Sequence, residues 1–151
     1  MEEIRKHDEV LSIMHVCRGN WTTDESVLLQ GAYDKLGKFF DALDLDMLAL
    51  EFSTPRAGEV EKLFSNNFLD TRVMLGFGCV NPRSEVIETP EEIVARVEEV
   101  LQFLPPERIW LNPDCGFATF AKRPLNPYPI IQKKLENMVA ASKILREKYC
   151  K

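Results

Sequence analysis

The chain contains four short apolar runs of strand length, each followed by a segment that can form a helix. The runs are residues 11–17, 47–52, 72–78 and 108–112. Strands that are apolar along their whole length are buried on both faces, and they alternate with helices when they are parallel and joined by right-handed crossovers. The pattern therefore predicts an α/β protein with four βα units, in a single domain spanning residues 1–151.

Two architectures are compatible with four βα units. They can form a small, open, doubly wound sheet, or they can form half of an eight-unit β/α barrel, which typically takes about 250 residues. The chain has 151 residues, enough for either arrangement. The alternation of strands and helices alone does not decide between them.

Helix signals lie between and after the apolar runs. Thr89, Pro90 and Glu92 supply a cap residue, a proline at the first helical position and a glutamate in the first turn. Two further helices are predicted from apolar residues that recur every three or four positions. The first set is Leu29, Tyr33, Leu36, Phe40 and Leu43, and the second, after a proline-rich loop, is Leu135, Met138, Ser142 and Leu145.

The charge balance excludes several classes of partner. The 24 acidic and 19 basic side chains give a net charge of −5, and no basic block is present to bind nucleic acid or an anionic membrane. No stretch approaches the roughly 18 apolar residues of a membrane span, and residues 1–6 are charged, unlike a signal peptide. We therefore expect a cytoplasmic protein whose four cysteines are thiols or metal ligands.

Potential metal ligands stand at the carboxyl ends of three predicted strands. His15 and Cys17 are two residues apart, so their side chains leave the same face of the first strand. Glu51 ends the second strand, and Cys115 follows the fourth. Because the carboxyl ends of parallel strands share one edge, these four side chains can converge there. One imidazole, two thiolates and one carboxylate suit a tetrahedral zinc ion.

Each of these residues also has a simpler interpretation. A buried cysteine is often a small apolar residue, a single histidine is often a hydrogen-bonded core residue, and Glu51 can pair with Arg56. Cys79 also follows a strand and is an alternative fourth ligand. Cys150 and His7, the latter in a predicted charged helix, are expected at the surface.

Four segments carry a resemblance to a known family. They are HVCRGN at 15–20, LEF at 50–52 followed by PRAG at 55–58, GFG at 76–78, and WLNPDCG at 110–116. In this order they resemble the C-terminal catalytic barrel of the cobalamin-independent methionine synthases and their alkylthiol-transferase relatives. The resemblance implies a zinc site formed by His15, Cys17, Glu51 and Cys115. It also implies that the chain is the C-terminal half of a TIM (β/α)8 barrel.

The sequence departs from the family pattern in the loop at residues 79–89. The methionine synthases carry a D-x-H-S pattern here, and the alignment places Asn81 at the aspartate and Arg83 at the catalytic histidine. An arginine does not act as an acid near pH 7, but it binds anions bidentately. We therefore expect Arg83 to have a catalytic and substrate-binding role, with Arg56 and Asn81 as further substrate ligands and Asp114 as a catalytic residue. The alternative for Arg83 is a solvated loop cation.

The resemblance implies transfer of a methyl or alkyl group to a thiol that zinc holds as a thiolate. In a methionine synthase the acceptor is homocysteine and the donor is a methyl-tetrahydrofolate polyglutamate. The half of the barrel that binds the amino-acid part of the thiol is missing, so a second copy or an N-terminal-half chain is expected as partner. The alternatives are another thiol, such as coenzyme M, a zinc-binding half-barrel without turnover, and a fragment of a longer protein.

Overall fold

The computed structural model describes residues 6–7 and 9–150, and its centre is a sheet of four parallel strands. The strands are β1 (Ile13–Val16), β2 (Met47–Glu51), β3 (Met74–Val80) and β4 (Ile109–Pro113). They lie in the order β1-β2-β3-β4. Each neighbouring pair is parallel, with His15 opposite Ala49 and Glu51 opposite Gly78. The prediction of an α/β fold with four βα units is confirmed.

In the part of the chain that the structure describes, five α-helices connect and follow the strands. They are α1 (Gly37–Asp41), α2 (Val60–Leu63), α3 (Leu69–Arg72), α4 (Pro90–Val100) and α5 (Tyr128–Tyr149). The predicted start of α4 is confirmed: Thr89 accepts a hydrogen bond from the Glu92 backbone N–H, and the Glu92 side chain accepts one from the backbone of Thr89. This capping box satisfies two N–H groups that the first helical turn leaves unpaired.

The two faces of the sheet differ in their cover. Leu48 and Leu50 of β2 and Phe77 of β3 are fully buried on one face, where they join the core formed with the helices. On the opposite face the outer strands carry Ile13 and Trp110, which are 53% and 48% exposed. A sheet that is covered by helices on one side and exposes its outer strands on the other has the arrangement expected of half a barrel.

The helix predicted over Leu29 to Leu43 is wrong in its first half. The segment instead contains the 3₁₀ helix Tyr33–Leu36, followed by the short α1, and a further 3₁₀ helix, Glu25–Val27, precedes it. Gly31 interrupts the helical pattern, because its φ of 130° lies in the region that favours glycine. Leu29 is consequently 68% exposed rather than buried, whereas Tyr33 and Phe40 lie in the core.

The buried face of α5 agrees with the predicted one at Met138 and Leu145, which lie against or in the core. Lys134 and Ala141 are also buried, while Leu135 is 39% exposed. The apolar pattern failed at Leu135 because a lysine, a residue that is rarely buried without a partner, occupies the neighbouring core position.

The remaining sequence predictions concern the surface and the N-terminus. His7 and Cys150 are exposed, as expected. Residues 1–5, part of the charged N-terminal segment, lie outside the described residues. Within residues 6–7 and 9–150, none of the helices has both the length and the apolar character to cross a membrane.

Candidate metal centre

The four predicted ligands come together at the carboxyl edge of the sheet. His15 lies near the end of β1, Cys17 follows that strand, Glu51 is the last residue of β2, and Cys115 follows β4. One ligand atom from each residue lies within 4.8 Å of the others. The parallel sheet therefore brings together residues that are up to 100 positions apart in sequence.

Cys115 lies at the centre of this group. Its Sγ is 3.3 Å from His15 Nε2, 3.3 Å from Cys17 Sγ and 3.2 Å from Glu51 Oε1. Burial raises the pKa of the Cys115 thiol, and the neighbouring Cys17 and Glu51 raise it further. Two thiolates and a carboxylate at these distances repel one another unless a cation lies between them.

Contacts behind the ligand atoms fix their orientation. His15 Nδ1 lies 2.9 Å from the carbonyl oxygen of Ala49, which requires the proton on Nδ1 and leaves the Nε2 lone pair to face the site. The backbone N–H of Gly19 points to Cys17 Sγ at 3.3 Å. The backbone N–H of Arg18 donates to Glu51 Oε1 at 2.8 Å.

The donor set fits a metal ion. An imidazole nitrogen, two sulfurs and a carboxylate oxygen match the ligand types of tetrahedral zinc sites. A hydrogen bond from the second imidazole nitrogen to a carbonyl group is also the usual support of a metal-binding histidine. His15 and Cys17 are exposed, Cys115 is half-buried and Glu51 is buried, so the centre opens to the surface on the β1 side.

Glu51 forms the ion pair with Arg56 that the simpler interpretation of this residue predicted. It is also part of the ligand group. Its Oε2 accepts from Arg56 at 2.9 Å, while Oε1 faces Cys115. The hydroxyl of Tyr33 accepts the backbone N–H of Glu51 at 3.0 Å. The two interpretations of Glu51 are therefore compatible, because each carboxylate oxygen has its own partner.

Arg83 is fully buried, so its interpretation as a solvated loop cation is wrong. The guanidinium donates to Asp114 Oδ2 at 2.7 Å and to Glu25 Oε1 at 3.2 Å, and it lies 3.6 Å from Glu51 Oε2. Burial alone would lower the pKa of Arg83, but Asp114, Glu51 and Glu25 raise it above its ordinary value. The anions that Arg83 binds here are carboxylates of its own chain.

Asp114 and Asn81 join the same network. Asp114 Oδ1 accepts the backbone N–H groups of Phe52 and Ser53 at 3.0 and 2.9 Å, and the Ser53 hydroxyl donates to Oδ2. Asn81 Nδ2 donates to Glu25 Oε1 at 2.6 Å. Both residues are more than nine-tenths buried, so they connect the loops after β2, β3 and β4 behind the ligand group.

Cys79, the alternative fourth ligand, is not part of the group. Its thiol is buried and points to the carbonyl oxygen of Asn112 at 3.6 Å. Burial raises the pKa of Cys79 to about 12. Cys79 is therefore a buried protonated thiol, the simpler interpretation that the sequence also allowed.

Sequence reasoning missed Glu25. It lies in the polar stretch at residues 22–26, which has no apolar periodicity and no motif. Partial burial alone would raise the pKa of Glu25, but hydrogen bonds from Asn81 and Arg83 lower it. Only the fold brings this carboxylate to partners 56 and 58 residues away.

Comparison with known proteins identifies the family to which the chain belongs. Residues 13–144 match the family model of the cobalamin-independent synthase catalytic domain. The chain is 33% identical over 147 residues to a methionine synthase of Sulfurisphaera tokodaii, covering 97% of this chain and 37% of that protein. It is 33% identical over 108 residues to the 5-methyltetrahydropteroyltriglutamate–homocysteine methyltransferase of Candida albicans, covering 72% of this chain and 13% of that protein.

The fold agrees with a solved structure of the same group. A B12-independent methionine synthase from Shewanella sp. W3-18-1, in complex with selenomethionine, superimposes with a TM-score of 0.73 and 18% identity. The match covers 95% of this chain and 40% of that one. The neighbour is a TIM barrel, and the four-stranded open sheet corresponds to half of it, so the half-barrel prediction is confirmed. The chain spans about a third or less of most of the relatives it matches, and 37% of the Sulfurisphaera protein.

Proposed function

The chain belongs to the family of cobalamin-independent synthase catalytic domains, and from this premise we propose that it is the zinc-binding part of an enzyme that transfers a methyl or alkyl group to a small thiol. The reaction is methionine synthesis, with homocysteine as acceptor and 5-methyltetrahydropteroyltriglutamate as donor. The printed name of the Candida relative supports these substrates. Because the chemistry needs reduced cysteines, the protein belongs in the reducing cytoplasm.

The observation that carries this proposal is the convergence of His15, Cys17, Glu51 and Cys115 within 4.8 Å. When ionised, two thiolates and one carboxylate bring three negative charges to one point. Such a set favours zinc over harder cations such as magnesium, which prefer oxygen ligands. Zinc bound there supplies a Lewis acid that favours the thiolate form of the substrate thiol at neutral pH.

The protein's own residues supply charge and orientation. Cys17, Cys115 and Glu51 keep the centre rich in electrons, so that a substrate sulfur stays nucleophilic. Arg18 and Arg56 hold the two oxygens of Glu51 separately, at 2.8 and 2.9 Å. We propose that, with zinc bound, Glu51 would be the ligand able to make room for the substrate sulfur, because its second oxygen already has a partner in Arg56.

We further propose that Arg83, Asp114, Asn81 and Arg56 act mainly by positioning. Arg83 and Asp114 form a buried pair at 2.7 Å, and Arg56 contacts Glu51. Their contacts favour a role in holding the strand-end loops and the ligand carboxylate. The expectation that Arg56, Asn81 and Arg83 touch the substrate directly stays a prediction.

The proposal includes a completing partner. The 151 residues supply four of the eight βα units of a complete barrel, and the matches cover 33% and 37% of two methionine synthases. Either a second copy of the chain or a separate N-terminal half would supply the missing strands. The N-terminal half would also bring the residues that bind the amino-acid part of the thiol.

A second candidate function is a zinc-binding half-barrel without turnover. The observation that favours it is that all four candidate ligands lie in this half of the barrel, so a cation can be held there without the residues that bind the thiol. The two candidates differ in one measurement, thiol alkylation by the chain with and without an N-terminal half. Transfer to homocysteine in the presence of that half supports the enzyme, and zinc binding with no transfer to any thiol under either condition supports the second candidate.

Metal content tests the site itself. The purified chain should contain one zinc ion, Cys115→Ser should lose it, and Cys79→Ser should keep it, because only Cys115 faces the other ligands. Both variants replace a thiol with a hydroxyl, so they are matched. Zinc retained by Cys115→Ser and lost by Cys79→Ser would contradict the ligand assignment.

A further inference from the structure

Glu25 lies between two arginines that contact the candidate ligand Glu51. It begins the 3₁₀ helix Glu25–Val27, in the loop that follows β1. Its Oε1 accepts from Asn81 Nδ2 at 2.6 Å and from Arg83 Nε at 3.2 Å. Its Oε2 lies 3.5 Å from Arg56 Nε. One carboxylate thus contacts both guanidinium groups through their Nε atoms.

The same two arginines approach one oxygen of Glu51. Arg56 donates to Glu51 Oε2 at 2.9 Å, and Arg83 lies 3.6 Å from that oxygen. The side chains of Arg56 and Arg83 are 6% and 0% exposed, so water does little to screen these contacts. A change in how the two arginines divide their contacts among the carboxylates therefore changes the positive charge that faces Glu51.

The balance of charge depends on Glu25. Two arginines face three carboxylates, those of Glu25, Glu51 and Asp114, which gives a net charge of 2 − 3 = −1 for the group. Without Glu25 the group is neutral, and the arginine N–H groups turn to Glu51 and Asp114 alone. A carboxylate whose negative charge is offset by closer cationic hydrogen-bond donors attracts a metal ion less strongly.

We propose that Glu25 is a positioning residue that, by binding Arg56 and Arg83, keeps the carboxylate of Glu51 available to a bound cation. This inference rests on the proposed zinc site. Glu25 touches none of the four ligands, and it acts through the two arginines.

Glu25 is not needed to hold its loop in place, since other contacts do this. The Leu29 backbone N–H donates to the Arg18 carbonyl oxygen at 3.0 Å, and the Gly31 N–H donates to the Arg56 carbonyl oxygen at 3.1 Å. Asn20 Nδ2 donates to the Gly116 carbonyl oxygen at 2.6 Å. The side chain of Glu25 is also 27% exposed, so its replacement leaves no buried cavity.

The test compares zinc affinity in Glu25→Gln and Asp24→Asn. Both changes remove one negative charge from neighbouring positions and keep the side-chain shape. Asp24 caps the 3₁₀ helix through Ser26, and asparagine caps equally well. Competition with a chromophoric zinc chelator should show weaker affinity in Glu25→Gln, by up to about 10-fold, because Glu25 lies one contact further out than the direct ligand partners, whose loss costs about 10- to 100-fold. Asp24→Asn should bind zinc as the wild type does.

A spectroscopic readout separates positioning from a purely structural role. The absorption bands of the Co²⁺-loaded chain report the ligand field, and they should shift in Glu25→Gln while those of Asp24→Asn stay unchanged. Thermal unfolding of the metal-free proteins checks that each variant is folded. If Glu25→Gln does not fold, Glu25→Asp takes its place, because it keeps the charge but its shorter side chain does not reach both arginines.

The outcomes distinguish this inference from the proposed function. A wild-type chain that binds no zinc overturns both. A wild-type chain that binds zinc, with Glu25→Gln and Glu25→Asp matching its affinity and Co²⁺ spectrum, overturns the inference about Glu25 alone.

Discussion

Lys134, in the first half of α5, is fully buried. Its replacement tests which contacts fix the loop behind the candidate metal centre. Its Nζ donates to Glu88 Oε2 at 2.8 Å and to the carbonyl oxygen of Val86. Glu88 Oε1 in turn accepts the backbone N–H of Asn81 at 2.8 Å. Lys134 therefore links the last helix to the loop that carries Asn81 and Arg83.

Lys134→Met should destabilise the fold by about 2–4 kcal/mol. Removing one partner of a fully buried ion pair costs about 3–5 kcal/mol. The side chain of Glu88 is 20% exposed and keeps its hydrogen bond to the Asn81 backbone. The loss of unfolding free energy should therefore lie toward the lower end of that range. For a chain of 151 residues, the unfolding midpoint should fall by roughly 5–12 °C.

The assay is urea and thermal unfolding followed by far-ultraviolet circular dichroism, with Lys133→Met as the matched control. Lys133 precedes Lys134 on the same helix, is 55% exposed and makes only a 3.5 Å pair with Glu136. Its replacement should change stability by less than about 0.5 kcal/mol. If Lys134→Met proves as stable as Lys133→Met, the desolvation cost of the buried lysine outweighs its ion pair and the argument is refuted.

Two further predictions concern packing against β3 and the pairing of the outer strands. Gly78→Ala should lower the free energy of unfolding by about 1–3 kcal/mol, because the new Cβ would lie 2.6 Å from both Asp114 Oδ1 and the Leu50 carbonyl oxygen. Gly116→Ala is the control, since its Cβ meets nothing within 4 Å. Equal unfolding midpoints for the two variants would contradict the packing of Asp114 against β3. In analytical ultracentrifugation at micromolar concentration, the chain should sediment as a species larger than its own mass of 17.4 kDa. The reason is that β1 and β4 have unpaired outer edges within the described sheet, and paired edges are favoured. A folded species at the single-chain mass would contradict assembly by the chain alone.

The candidate metal centre was predictable because it depends on topology more than on detailed packing. Parallel strands place their carboxyl ends on one edge, so His15, Cys17, Glu51 and a cysteine were expected to converge there, and the resemblance chose Cys115. The choice between Cys115 and Cys79 was harder, since both follow strands. The structure separates them because Cys79 turns to the Asn112 carbonyl oxygen while Cys115 faces the other ligands.

The charged network behind the ligands was not predictable in the same way. Glu25, Lys134 and Arg83 are charged, and a charged residue in a loop or on a helix is normally solvated. Their burial depends on loop conformations, such as the turn at Gly31 with its φ of 130°, which carry no periodic signal. A sequence pattern therefore indicated the four candidate ligands, and the resemblance named Arg83 and Asp114, whereas Glu25 was missed.

The exposure of the ligands connects assembly with metal binding. Glu51 is buried and Cys115 half-buried, whereas His15 and Cys17 are exposed on and after an outer strand. That strand pairs with β2 through only four register positions, from Ile13 to Val16. Half of the donor set is thus held by the core, and the other half is held by an edge that a completing half would cover. A partner that pairs with β1 would therefore restrict the motion of His15 and Cys17, and by linkage it would bind more tightly to the metal-loaded chain than to the metal-free one.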